Sequence, residues 1–163
     1  NVEYLEHVVK RLLQRGEEQK EYYRSFLSAF ELEDGHFLHK EDKSFFEKMI
    51  AVIDSHVQDT DLSVELLSNS LGYSTRQFYR KLKNITEKTP ADIIREYRLT
   101  IVERLLLTTQ LSIEEIMDRT GFSNRGTFYK VFAQKFGMTP RQYRSHKEMD
   151  IKPVSADDLK TNK

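Results

Sequence analysis

The chain has 163 residues, of which 38% are hydrophobic, 11% are aromatic and 32% are charged, and it contains no cysteine. This length suits one domain with an appendage, and without cysteine there can be no disulfide, thiolate nucleophile or zinc ribbon. No apolar run approaches the roughly 20 residues that a membrane-spanning helix needs, so we expect a cytoplasmic protein without membrane contact. Because the sequence begins at Asn1 without an initiator methionine, we expect a piece of a longer protein.

The formal net charge of zero conceals an uneven distribution of charge. Residues 1–60 carry 8 lysines and arginines against 13 acidic residues, a net of −5, whereas residues 61–150 carry 15 against 11, a net of +4. Residues 123–147 hold six basic residues and no acidic one. A basic surface of this kind favours a polyanionic partner, although many solvated helix faces look the same.

The first 42 residues are predicted to connect this chain to something upstream. Residues 1–30 show an interrupted 3-4 spacing of apolar residues, which predicts a helical connector for signalling or dimerisation. Residues 31–42 are acidic and have no clear period, so we predict a linker. His36 and His39 lie in this linker. A metal site needs three or four convergent ligands, so we expect exposed histidines and no bound metal.

An internal repeat is the most informative feature of residues 43–147, whose apolar residues keep a helical period throughout. Residues 62–65 recur 49 positions later at 111–114, and residues 72–74 recur at 121–123. Arg76 recurs as Arg125 at the same displacement. The later matches are displaced by 50 positions: residues 78–79 recur at 128–129, and residues 89–90 recur at 139–140. This ordered series indicates two copies of one motif, with one residue inserted at the start of the later helix of the second copy.

Each copy has the residues that begin and end a short helix. Ser63 and Ser112 stand where a side-chain oxygen can cap a helix, and each is followed two residues later by a glutamate that suits the positive end of the helix dipole. Gly72 and Gly121 fit the left-handed conformation that ends a helix and turns the chain. We therefore predict a short helix and a sharp turn in both copies.

A second helix follows each turn, with Ser74 and Ser123 as its predicted caps. One face of this helix is apolar, with Phe78 and Leu82 in the first copy and Phe128 and Phe132 in the second. The other face is polar and comprises Thr75, Arg76, Tyr79, Arg80 and Lys83 in the first copy, and Asn124, Arg125, Thr127 and Lys130 in the second. This arrangement is typical of a helix-turn-helix motif.

Residues 90–108 predict one helix between the two copies, with Pro90 at its first position. At 1.5 Å per residue it is about 28 Å long. Its apolar residues cover a wide arc, so we expect it to pack on both sides and brace the copies against each other. Successive major grooves on one face of DNA are about 34 Å apart, so we predict two recognition helices in adjacent major grooves.

The paired turns, and above all the segment GFSNRGTFYKVFAQKFGMTPRQYR (121–144), resemble the signature of the AraC/XylS family of bacterial transcription regulators. The resemblance covers about residues 43–147. It implies an all-α double helix-turn-helix domain with seven helices, no cofactor and no enzymatic activity. It also implies promoter DNA and RNA polymerase as partners. Residues 148–163 are predicted to be a disordered tail.

By the same resemblance, the base- or backbone-contacting positions are Arg76, Tyr79 and Arg80 in the first copy and Arg125, Gly126, Thr127 and Lys130 in the second. For Tyr79 a phosphate contact and a packed aromatic ring both remain open. Arg141 and Arg144 are expected to contact the DNA backbone or to serve the fold. The sequence departs from the family pattern at Ser68, Met117, Gly126 and Ala133.

Residues 1–15, NVEYLEHVVKRLLQR, are similar to the last helix of a receiver domain. Followed by a connector and the domain above, they resemble the end of a hybrid two-component regulator, which implies a homodimer when the full-length protein is activated. The alternative is a helical protein-interaction module without DNA binding. The sequence contains no Gly-rich phosphate loop and no serine-nucleophile motif, so it gives an enzyme no support.

Overall fold

A computed structural model of the chain describes residues 40–151. The predicted connector at 1–30 and the histidines at 36 and 39 lie outside the described residues. Within 40–151 there are seven helices and no strand: α1 (Lys40–Ser55), α2 (Val64–Ser70), α3 (Thr75–Ile85), α4 (Pro90–Thr108), α5 (Ile113–Arg119), α6 (Arg125–Phe136) and α7 (Pro140–Ile151). The predicted all-α fold is confirmed. No helix in this range is long and apolar enough to cross a membrane.

Two helix ends differ from the boundaries that composition indicates. Helix α1 begins at Lys40, inside the segment 31–42 predicted as a linker, and α7 continues to Ile151, beyond residue 147. Composition alone gives no sharp boundary at either place, because charged residues are as common on exposed helix faces as in linkers.

The described helices form two compact units. The first comprises residues 40–55 and 62–97, and the second comprises residues 56–61 and 98–151. The boundary falls inside α4, which contributes its first eight residues to one unit and the remainder to the other. The predicted bracing of the two copies by this helix stays a prediction.

The core of the first unit is built on one face of α1. Phe45, Phe46, Met49, Ile50 and Ile53 are all buried, at the 3-4 spacing of an amphipathic helix. The ring of Phe45 packs edge-on against Tyr73, with 5.5 Å between centroids, and lies 5.8 Å from that of Phe78.

Helix α4 closes this core with Tyr97, which is only 2% exposed. Its hydroxyl donates a hydrogen bond of 2.5 Å to the Asp54 carboxylate on α1. The one polar atom of this buried ring is therefore satisfied.

The second unit has its own core, drawn from four helices. Its buried members are Leu99, Val102, Leu106, Ile116, Met117, Phe128, Phe132 and Tyr143. The ring of Phe132 packs against those of Phe136 and Tyr143, with 4.5 Å and 5.8 Å between centroids. The Tyr143 hydroxyl donates to the Glu103 carboxylate, which ties α7 to α4.

The predicted caps of the two short helices are confirmed. Ser63 accepts a hydrogen bond of 3.1 Å from the Leu66 amide, and Ser112 accepts one of 3.2 Å from the Glu115 amide. Glu115 in turn accepts from the Ser112 amide at 2.8 Å, which completes a capping box. The predicted turn glycines are also confirmed, because Gly72 and Gly121 have φ values of +77° and +73°.

The cap of α6 corrects one prediction. Asn124, and not Ser123, is the N-cap: its side chain accepts a hydrogen bond of 2.8 Å from the Thr127 amide. The inserted residue therefore lies before the helix rather than in its first turn. By position in the helix, Arg125 therefore corresponds to Thr75, and Gly126 corresponds to Arg76.

Residues 56–61 leave α1 and belong to the second unit, where Arg98 holds them. Its Nη2 donates to the carbonyl oxygen of Asp59 at 2.5 Å, and its Nη1 donates to that of Gly121 at 3.4 Å. Burial lowers the pKa of Arg98, and the Asp59 charge opposes that effect. One guanidinium thus joins this segment to the turn of the second helix-turn-helix.

Candidate nucleic-acid interface

Helix α3 presents a basic face without any acidic residue in its sequence, TRQFYRKLKNI. Its inward residues Phe78 and Leu82 are at most 1% exposed. The predicted contact residues Arg76, Tyr79, Arg80 and Lys83 are all exposed. Tyr79 is 47% exposed, so its ring is not part of the core.

Thr75 differs from the other predicted residues of α3. It is half-buried, and its hydroxyl lies 3.5 Å from that of Ser68 on α2. Ser68 is fully buried and donates to the carbonyl oxygen of Glu65 at 3.1 Å. Thr75 therefore contributes to the packing of α2 against α3.

The first turn of α3 is fixed by a capping box. The Gln77 amide donates to the Ser74 hydroxyl at 3.2 Å, and the Ser74 amide donates to the Gln77 side chain at 3.0 Å. Reciprocal capping of this kind restrains the entry of the chain into the helix. The backbone that carries Arg76 is therefore held in one position relative to the core below it.

Helix α6 exposes its five predicted residues, but they offer less to a ligand than those of α3. The side chain of Asn124 is occupied as the helix cap. Gly126 has no side chain, and a β-carbon there would meet nothing closer than the Asn124 side chain at 3.4 Å, so space does not require glycine. Thr127 and Lys130 remain, together with Arg125.

Arg125 is held by two partners in the second unit. It forms an ion pair with Glu114, the second residue of α5, and donates to the Tyr129 hydroxyl at 3.3 Å. Its guanidinium also lies 5.2 Å from the centre of the Tyr129 ring. The pKa of Glu114 is lowered by its own backbone amide and then by Arg125, and Glu114 raises the pKa of Arg125.

Sequence analysis did not identify Glu114 or Tyr129 as part of this site. Tyr129 stands four residues after Arg125 on the same helix, which places the two side chains on one face and is readable from spacing. Glu114 lies 11 residues earlier, on a different helix, and nothing in the spacing indicates that contact.

The first unit has an open groove of about 420 Å³ beside α3, lined by Tyr79, Arg80, Leu82, Lys83, Thr86, Glu87, Lys88, Thr89 and Pro90. Lys88 is paired with Glu96 at 3.1 Å. Arg80 and Lys83 are the lining cations that lie on α3 itself. An anionic chain that follows this groove would therefore meet positive charge on its α3 side.

Two further arginines lie on α7. Arg144 is half-buried and donates from Nε to the carbonyl oxygen of Leu106 at 3.1 Å, so it serves the fold of the second unit. Arg141 is exposed. Within residues 40–151, no cluster of histidine and carboxylate side chains could hold a metal ion.

Comparison with known proteins identifies the family. A helix-turn-helix domain family matches residues 67–146. The regulatory protein SoxS of Escherichia coli is 32% identical over 102 residues, which cover 63% of this chain and 94% of SoxS. The chain belongs to the AraC family of DNA-binding transcription regulators. The prediction of a DNA-binding transcription regulator is confirmed at the level of this family.

Two proteins of signal transduction are also similar to this chain. The chain is 31% identical over 104 residues to histidine kinase P4 of Formosa agariphila, and this stretch is 64% of the chain but only 8% of that protein. The C-terminal domain of the two-component response regulator yesN from Fusobacterium nucleatum is 28% identical, with a TM-score of 0.55, over 60% of this chain and 95% of that one.

A DNA complex is also among the similar structures. The DNA-binding domain of AdpA, solved with a target DNA, is 25% identical with a TM-score of 0.59, over 64% of this chain and 93% of that one. The AraC-type fold is thus shared with a protein whose structure contains bound DNA.

Proposed function

We propose that this chain is the DNA-reading output part of a signal-transduction regulator, and that α3 and α6 each enter a major groove of promoter DNA. The observation that carries the proposal is the face of α3, where Arg76, Tyr79, Arg80 and Lys83 are exposed beside a buried apolar face. Arginine forks suit guanine edges, and lysines suit phosphates. In the second unit the exposed side chains of Arg125, Thr127 and Lys130 are proposed to contact the DNA.

The two grooves are adjacent ones in this proposal. Support comes from α4, a single helix of 19 residues and thus about 28 Å that runs from one unit into the other. Half-sites about one helical turn apart are what two such recognition helices require. Inserting five base pairs between the half-sites rotates one of them by about half a turn, and it should abolish the joint contribution of the two units.

A two-component context is proposed for the whole protein, from which this chain is taken to be the C-terminal part. In this proposal residues 1–30 connect an upstream signalling domain to the DNA-binding domain and help two copies to dimerise. The residues before α1, up to 39, are a linker, and those after α7, 152–163, are a tail. RNA polymerase is the proposed partner at the promoter, in the cytoplasm. The two-component context is supported by the similarity to the yesN domain and to histidine kinase P4.

The test uses the full 163-residue chain and a duplex that it selects from a randomised pool. Fluorescence anisotropy from 50 to 200 mM salt should show affinity falling by orders of magnitude, because basic side chains displace counterions from the phosphates. A helical interaction module would show no such salt-steep binding. Absence of any enriched duplex would contradict the proposal.

The proposed dimer contacts are tested with two DNA probes, one that carries a single copy of the selected site and one that carries two copies. Deleting residues 1–30 should leave binding to the single site unchanged and weaken binding to the paired site, because the deletion removes the proposed contact between copies. Equal binding of both proteins to the paired site would contradict the dimer part of the proposal.

A further inference from the structure

We propose that Glu114 is a positioning residue for base reading: it holds the Arg125 guanidinium in the direction from which α6 reads one base, and so sets the base preference of the second unit. The inference rests on the proposed function, in which Arg125 contacts DNA. Glu114 itself touches no base in this proposal.

The need for a positioning residue follows from where the arginine stands. Thr75 and Arg76 are the first two residues of α3, and Arg125 and Gly126 are the first two of α6. Adjacent positions on a helix point about 100° apart. Arg125, at the first position of α6, therefore leaves its helix in a different direction from Arg76, at the second position of α3. To reach a base edge in the same place relative to the helix, its side chain must bend toward it.

The contacts around Arg125 supply that redirection. Glu114 approaches from α5, and Tyr129 lies one turn further along α6, with its hydroxyl 3.3 Å from Nη2. These two partners fix both ends of the guanidinium plane. A free arginine side chain has many rotamers, so restraining it before binding reduces the conformational entropy that is lost when it contacts a base.

The first unit provides the internal comparison. Glu65 is the second residue of α2, as Glu114 is of α5, and it is exposed. The residue that corresponds to Arg125 is Thr75, which packs toward Ser68. Within residues 40–151, neither Glu65 nor Arg76 takes part in an ion pair. The pairing is thus a property of the second unit alone, where the arginine occupies the first helical position.

The pair keeps both of its charges in solvent. Glu114 and Arg125 border an open groove of about 450 Å³, and their side chains are 61% and 62% exposed. An exposed pair contributes little to stability. Its effect is therefore expected in the orientation of Arg125 and not in the folding of the unit.

The experiment compares Glu114→Gln with Glu115→Gln in the full chain. Both variants remove one negative charge from the first turn of α5. Glutamine at 115 can keep the capping box, since Gln77 plays that part in α3. Each protein is titrated by anisotropy against the duplex selected from a randomised pool and against duplexes that carry single base-pair changes in the half-site bound by the second unit.

In the wild-type chain the base pair read by Arg125 should show a preference of about 5- to 150-fold, the range of one bidentate pair. Glu114→Gln should lower this preference at least about threefold and leave the other positions unchanged. Glu115→Gln should leave it unchanged. In the Arg125→Ala background, Glu114→Gln should have no further effect on base preference, because the residue through which it acts is gone.

An unchanged base preference in Glu114→Gln would overturn the inference while leaving the proposed function intact, and so would either of two further results. One is an equal loss of preference in Glu114→Gln and Glu115→Gln, which would assign the effect to charge alone. The other is a change in preference from Glu114→Gln that persists without Arg125. If Arg125→Ala leaves every base preference unchanged, Arg125 reads no base and the inference falls with it.

Discussion

Arg98 donates a hydrogen bond to the carbonyl oxygen of Gly121, and a β-carbon at residue 121 would lie only 2.8 Å from its guanidinium. The same β-carbon would lie 2.5 Å from the carbonyl oxygen of Val57. Gly121 is thus enclosed by a guanidinium and a backbone segment, in addition to having a positive φ. Gly72, at the equivalent turn of the first unit, has nearly the same φ and no atom within 4 Å of its β-carbon position.

Gly121→Ala should destabilise the protein more than Gly72→Ala. The left-handed conformation costs an alanine about 1–2 kcal/mol at either turn, and the collision at residue 121 adds about 1–3 kcal/mol. Urea unfolding of the two variants measures the difference. Equal losses of stability would contradict the close approach at residue 121.

Asn124→Ala should lower the free energy of unfolding by about 1 kcal/mol, because it removes the acceptor for an amide in the first turn of α6. Ser123→Ala is the matched control, one residue earlier and outside the helix, and it should change stability by less than about 0.5 kcal/mol. Thermal unfolding of both variants checks this. A larger loss of stability in Ser123→Ala than in Asn124→Ala would show that Ser123 is the cap.

Tyr143→Phe should change how stability depends on pH. Burial, and then the hydrogen bond to Glu103, raises the pKa of Tyr143 from 10.0 to about 12. The folded protein therefore keeps this proton at a pH where the unfolded chain has lost it. The resulting stabilisation is complete below pH 10 and is lost as the pH rises toward 12.

Below pH 10 the phenylalanine variant should be less stable by about 1 kcal/mol, since it lacks the hydrogen bond to Glu103. Between about pH 10 and 12, wild-type stability should fall relative to the variant by roughly 1–3 kcal/mol. Denaturant unfolding at pH 9, 10 and 11 measures the gap between the two proteins. Parallel pH curves would show that Tyr143 ionises equally in both states.

Arg80→Ala should weaken binding to the selected duplex by about 1–3 kcal/mol and relax the preference at one base pair, if Arg80 reads a base. Arg95→Ala is the control, because it removes an exposed cation of the same unit that is paired with Asp92 on α4. It should change binding by less than about 0.5 kcal/mol. Uniform weakening on all sequences, with a salt slope shallower by about one, would assign Arg80 to a phosphate instead.

Those features that depend on a few consecutive residues were predictable from the sequence. The caps Ser63 and Ser112, the turn glycines and the whole extent of α4 follow from local chemistry, and the structure confirms each of them. The cap of α6 was mistaken because serine and asparagine cap equally well, so two neighbouring candidates cannot be ranked by residue type.

Features that depend on distant contacts were not predictable. The ion pair of Glu114 and Arg125 joins two helices through the geometry of a turn, and the spacing of charges does not reveal it. The packing of residues 56–61 against Arg98 and Gly121 likewise spans about 40 and 60 positions of sequence. Periodicity reports which face of a helix is buried, but it does not report which segment buries it.

The allocation of residues 56–61 has a practical consequence for dissecting the protein. The duplication visible in the sequence is not a duplication of self-sufficient pieces. In a fragment that starts at Arg98, the Arg98 guanidinium would lack the Asp59 carbonyl oxygen as a hydrogen-bond acceptor, and Gly121 would lose the backbone of Val57 that lies against it. A fragment of the later half therefore needs residues 56–61 to be restored. In a truncation that lacks them, weaker DNA binding could be ascribed to missing DNA contacts although its cause is the loss of the contacts that residues 56–61 make with Arg98 and Gly121.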